Sequence, residues 1–144
     1  MKKRLWPGLL FLATLWACSA ASSPKSPAPA AAPLSPTNPF AQKSTLPFEA
    51  PPFDKIHDGD YAPAFEEGMR RERAEMAAIA DDPAPPTFAN TIVKMQQTGE
   101  LLARVGKVFF NVTQTDTNDT LQKIKADLAP KFAAHQDEIG RAHV

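Results

Sequence analysis

Cysteine occurs once in these 144 residues, at Cys18, so no internal disulfide can form. Histidine occurs three times, as His57, His135 and His143, and no two of them stand one helical turn apart. A catalytic zinc helix needs two imidazoles on one face with a glutamate between them, so these residues encode no such site. Each histidine is expected on a solvated helix surface. The 16 basic and 16 acidic residues cancel to a formal charge of zero, without the clustered basic footprint of nucleic-acid binding. No alternating strand pattern, internal repeat or Gly-rich phosphate loop occurs. What remains abundant is proline, at 15 residues, and apolar residues at helical spacing.

The first 17 residues have the form of an export signal. Lys2, Lys3 and Arg4 precede an apolar stretch from Leu5 to Leu15, and Leu15-Trp16-Ala17-Cys18 has the form of a cleavage site. The apolar stretch is too short for a stable membrane span. Small or apolar residues before a lone cysteine resemble the bacterial lipobox, which makes Cys18 the expected lipidation site and the first mature residue. Each buried methylene contributes about 0.8 kcal/mol, so two or three acyl chains anchor stably where one does not. Cleavage removes three positive charges and leaves a mildly acidic chain. The expected location is the cell envelope of a bacterium, on the periplasmic side. Ser19 after Cys18 resembles outer-membrane sorting.

From Ser19 to Pro52 the chain has nine prolines and only Lys25, Lys43 and Glu49 as charges. Fixed φ and missing donors favour an extended spacer, so residues 18–37 are expected to be a disordered tether carrying the lipidated Cys18. Order is expected to begin at Asn38-Pro39-Phe40, in an extended arm anchored on a helical body by Phe40, Leu46, Phe48, Phe53 and Ile56.

Residues 38–144 read as an all-α unit, a small bundle of amphipathic helices. The first helix is expected from Asp60, with Pro63 tolerated in its first turns and Phe65, Met69, Met76 and Ile79 on one face. Glu67 and Arg71 stand one turn apart as a candidate ion pair, and Asp81-Asp82-Pro83 ends the helix. A second helix is expected from an N-cap at Thr87, with Phe88, Ile92, Met95, Leu102, Val105 and Phe109 on its apolar face. Gly99 and Gly106 lie on or beside that face, where core packing is the plain reading. A third helix, capped by Thr117 or Asn118, carries Leu121, Ile124, Leu128, Phe132 and Ile139, with Pro130 expected to kink or split it. Three helices of this size bury about 60% of their unfolded surface. The unit is therefore expected to be poorly stable alone or to self-associate.

No constellation carries chemistry on its own. Asp116-Thr117-Asn118-Asp119-Thr120 has Leu121 where a calcium loop needs glycine, and no serine sits in a strand-to-helix elbow.

The order of landmarks is more informative than any one of them. Asn38-Pro39-Phe40, Pro52-Phe53-Asp54-Lys55-Ile56, Tyr61 through Glu67, Pro86-Thr87-Phe88, Asn90-Thr91-Ile92, Val108-Phe109-Phe110-Asn111, Asp116-Thr117-Asn118 and Leu128-Ala129-Pro130-Lys131 follow one another. This series resembles the start of the thimet-oligopeptidase and peptidyl-dipeptidase Dcp family of zinc metallopeptidases. The resemblance implies a mostly helical, two-lobed peptidase of several hundred residues, with zinc on a helix far downstream and short peptides as substrates. No residue here matches that family's zinc ligands or general base, so the expectation is a truncated, non-catalytic amino-terminal section of an exported enzyme, without metal or catalytic residues of its own. Its partners would be the missing catalytic region and, through Cys18, the membrane. The alternative is a lipid-anchored helical binding module without enzymatic activity.

Overall fold

A computed structural model describes residues 33–141. The expected export signal, the lipidation site Cys18, most of the tether and His143 lie outside the described residues. Among the described residues there is no strand, and the elements are helices α1 (Asp58–Ala80), α2 (Lys94–Gln97), α3 (Glu100–Thr115) and α4 (Asp119–Arg141). Short 3₁₀ turns at Pro47–Glu49 and Phe53–Lys55 precede them, and a π-helical turn, Phe88–Val93, runs directly into α2. The all-α expectation holds.

Helix α1 is the element on which both other long helices pack. It begins two residues before the expected Asp60, because the His57 backbone N–H donates to Asp60 Oδ2 at 2.8 Å and fixes the turn. Asp58 and Asp60 also place negative charge at the positive end of the helix dipole. Pro63 leaves the Gly59 carbonyl without its helical donor, and Gly59 is exposed, so water can satisfy it.

The core is aromatic. Phe65, Val105 and Phe109 are fully buried, joined by Tyr61, Met69, Leu102, Leu121 and Leu128. Phe109 meets Tyr61 edge-on at 5.0 Å and Phe65 at 5.2 Å, and Phe65 meets Phe132 at 5.2 Å. Such edge contacts contribute roughly 0.5–1.5 kcal/mol each beyond their buried area. Close approach of α1 and α3 occurs at Gly68, where a Cβ would lie 2.9 Å from Leu102 Cα. The glycine that brings the backbones together is thus on α1, and Gly106 has only ordinary contacts.

The amino-terminal arm docks as expected at its first landmark and only in part beyond it. Asn38 is buried, accepts from the Phe40 N–H at 2.9 Å and donates to the Asp60 carbonyl at 3.0 Å. Phe40 is buried against Tyr61, and its carbonyl accepts from Arg104 Nη2 at 2.9 Å. Of the other expected anchors, Ile56 is half-buried, while Leu46, Phe48 and Phe53 are exposed. Phe48 and Phe53 stand on the two 3₁₀ turns and Leu46 just before the first, and Phe48 adopts left-handed backbone at φ 58°.

The expected single helix from Thr87 to Phe109 is two pieces. Thr87 does cap its start, its Oγ1 accepting from the Asn90 N–H at 3.1 Å while its own N–H donates to Asn90 Oδ1 at 2.6 Å. The π-helical turn and the single α2 turn then stop at Thr98. Gly99 takes φ +71°, its N–H donates to Glu75 Oε2 at 2.8 Å, and Glu72 lies where a Cβ would be. The left-handed residue and its captured N–H break the 3.6-residue period. Phe88 and Ile92 are consequently exposed and Met95 is half-buried, whereas Leu102, Val105 and Phe109 are buried on α3.

Helix α4 is capped by Asn118, whose Oδ1 accepts from the Leu121 N–H at 2.9 Å. Asn118 Nδ2 donates to Asp58 Oδ2 at 2.9 Å and ties the start of α4 to the start of α1. Pro130 does not split the helix, which is assigned as one span. The proline removes the donor for the Ala126 carbonyl, and both residues are exposed, so water can replace that bond. Leu121 and Leu128 are buried, and Ile124 and Phe132 pack on the core half-buried.

Candidate functional site

Two places on the body hold polar groups in unusual surroundings. The first is Glu67, buried on α1. Arg70 clasps it with two hydrogen bonds, Nε to Oε2 at 2.7 Å and Nη2 to Oε1 at 2.8 Å, and Arg71 Nε adds a third at 2.7 Å. The hydrogen bond from Arg70 is the largest influence, outweighs burial, and holds the Glu67 carboxyl down at about 2. The expected Glu67–Arg71 pair is present, with Arg70 as a second partner. Every carboxylate oxygen of Glu67 is occupied from within its own helix, which makes the group a structural anion.

The second place joins α1 to α4. His135 is buried, in contrast to the expected surface position, with Nε2 2.7 Å from Glu72 Oε2 and Nδ1 3.4 Å from Arg73 Nη1. A guanidinium only donates, so the Nδ1 lone pair faces Arg73 and the Nε2–H donates to Glu72. Arg73 also lies 3.8 Å from Glu138. The signal for this burial was present in the chain: His135 stands seven residues after Leu128 and three after Phe132, on the apolar face of α4. Its partner Glu72 lies 63 residues away and carried no such signal.

Neither place offers a metal site. Among the described residues no group of three or more His, Cys, Asp or Glu side chains could hold a metal ion. Both ring nitrogens of His135 face side chains of α1, and His57 is largely exposed beside Asp60. The described donors therefore do not fit zinc, and no chemical step is assigned to it here.

A groove of about 520 Å³ opens between the carboxy-terminal half of α1 and the segment that follows it. Met76, Ile79 and Ala80 form one wall, and Pro86, Ile92 and Met95 the other. At its edge Lys94 Nζ donates to Asp82 Oδ2 at 3.1 Å. The Asp82 carboxyl is held below the usual carboxylate range, first by the Ala84 backbone N–H and then by Lys94. With its acid paired and its hydroxyl, Thr91, donating to Asn90 Oδ1 at 3.0 Å, the groove has no free nucleophile or base and is suited to apolar contact. Beside it Phe88, Ile92 and Val93 are exposed, Phe88 to 73%. No helix among the described residues is long and apolar enough to cross a membrane.

No protein-family model matches the chain. Among curated proteins, it is 46% identical over 103 residues to the dipeptidyl carboxypeptidase of Salmonella typhimurium and 49% identical over 102 residues to that of Escherichia coli K12. Over that segment the chain matches the peptidyl-dipeptidase Dcp family. The match takes in 72% and 71% of this chain but only 15% of the length of each relative. The residues of the Dcp-type segment therefore have close counterparts in a peptidase, while most of each relative lies outside the match.

Proposed function

We propose that this chain supplies a non-catalytic helical wall of an exported, lipid-anchored zinc oligopeptidase of the peptidyl-dipeptidase type, which hydrolyses short peptides. The observation that carries this reading is the 46–49% identity to named dipeptidyl carboxypeptidases over a segment that folds as helices. The side chains that this chain buries or pairs support the same role. Glu67, His135 and Asp82 are each engaged by neighbours within the body, leaving no convergent acid, base and nucleophile among the described residues. Zinc, the general base and the peptide contacts belong, in this reading, to the remainder of the enzyme.

Incubating the purified chain with a short blocked peptide tests the non-catalytic role. No release of a carboxy-terminal dipeptide is expected, and release abolished by a chelator would overturn it. The anchor is tested separately by Cys18→Ser, which should move the protein from the membrane to the soluble fraction; unchanged retention would refute lipidation at Cys18.

The groove beside Phe88 favours a second reading, a lipid-anchored module that binds an apolar peptide or protein. The two differ in what the segment does inside a peptidase, where only the first expects it to substitute for a relative's own.

A further inference from the structure

We propose that the apolar face made by Phe88, Ile92 and Val93, with the adjoining groove beside Met76, Ile79 and Met95, is the seat on which the remaining polypeptide of the peptidase packs. This inference rests on the peptidase reading above and adds the place of contact.

The face is built with care. Thr87 and Asn90 cap one another reciprocally, Asn90 Nδ2 donates to the Pro85 carbonyl at 3.0 Å, and Lys94 pairs with Asp82 across the groove edge. These bonds fix a segment that nevertheless presents three large apolar side chains to water: Phe88 at 73%, Ile92 at 44% and Val93 at 40% exposure. Local order without burial of the apolar side is the pattern of a preformed interface. The π-helical turn points the same way, since such turns are rare and frequent at functional positions.

Its neighbours in the chain do not cover it. The π-helical turn leads into α2, which rests on α1, and Gly99 then turns the chain away into α3. Leu102, Val105 and Phe109 are turned into the core while Phe88 and Ile92 are left outside it.

The occupant follows from length and from charge. The matched segment is 15% of each relative, so more than five times as much polypeptide accompanies its counterpart there. The one ion pair at the groove edge is satisfied internally, so an apolar helix face can seat there without stranding a charge. Phe48 makes a useful contrast. It is fully exposed, but it stands on a 3₁₀ turn of the arm, whereas Phe88 opens the π-helical turn whose Asn90, Thr91 and Ile92 line the groove.

The test is a chimera of the Escherichia coli enzyme in which the matched 102 residues are replaced by those of this chain. The wild-type chimera should fold and release dipeptides. Phe88→Asp with Ile92→Asp should abolish folded chimera, and the milder Phe88→Ala should lower its melting temperature, whereas Phe48→Ala should not. In the isolated chain, Phe88→Ala should shift the melting temperature by less than about 4 °C, because the side chain is solvated there. A Phe88→Ala chimera that melts with the wild type would overturn the proposal. So would loss of the isolated chain's fold on Phe88→Ala, or an isolated-chain dimer that Phe88→Asp dissociates, which would make a second copy the occupant. A wild-type chimera that neither folds nor cleaves would instead bring down the peptidase reading on which the inference rests.

Discussion

The two halves of α1 are covered very differently. From Tyr61 to Met69 the helix buries Tyr61, Ala64, Phe65, Glu67, Gly68 and Met69 against α3, α4 and the arm; from Arg70 to Ala80 only Met76 is buried. His135 of α4 reaches Glu72 and Arg73 at the start of the second half, and what faces its end, from Met76 to Ala80, is the 84–97 segment, itself largely exposed. One continuous helix therefore serves as the centre of a core at one end and as the wall of an open groove at the other. Helical spacing of apolar residues does not distinguish these ends, because it reports a face and not whether anything covers it.

The sharpest way to test that difference is to remove a large ring from each region. Phe109→Ala empties a fully buried site in contact with Tyr61 and Phe65, and should cost about 3–5 kcal/mol, a large share of a small domain's stability. A melt monitored by circular dichroism reads this directly.

Acid should act on the covered half through Glu67. Its carboxyl is held at about 2 against an ordinary 4.5, a depressed value, so its stabilisation is complete above about pH 4.5 and is lost as pH falls toward 2. Allowing for water around the half-exposed Arg70 and Arg71, the loss is about 2 kcal/mol. Denaturant midpoints between pH 6 and pH 2 should show this fall in the wild type and a shallower one in Glu67→Gln.

Adding one methyl group separates the covered from the open surface by sign. Gly68→Ala pushes a Cβ against the Leu102 backbone and should destabilise by about 1–2 kcal/mol. Gly59→Ala meets nothing within 4 Å and should stabilise by about 0.5–1 kcal/mol through helix propensity. Equal effects at the two glycines would remove the argument for close α1–α3 packing.

The smallest effect belongs to the open region. Phe88→Ala deletes the same ring as Phe109→Ala but should change the stability of the isolated chain by no more than about 0.5 kcal/mol.

Local signals were legible in the sequence and tertiary ones were not. Thr87 and Asn118 cap helices as their positions suggested, because a cap acts within three residues. Glu67 pairs with Arg71 for the same reason of range. The stop at Gly99 was invisible, since it depends on Glu75 reaching across 24 residues to hold the Gly99 N–H. The helical period of Phe88 and Ile92 continued in register with Leu102, and only that distant contact reveals that the two runs occupy different elements. For the candidate site, the family landmarks were readable from order alone, while the groove became visible only when α1 and the 84–97 segment were placed side by side.

Native-state amide exchange measures the contrast between the two regions most directly. In the isolated chain the amides around Phe65 and Phe109 should exchange only through global unfolding, and those from Ile92 to Gln97 through local opening at far lower free energy. Protection of the 92–97 amides equal to that of Phe65 and Phe109 would show that the segment is part of the core, and would contradict the account of an uncovered face.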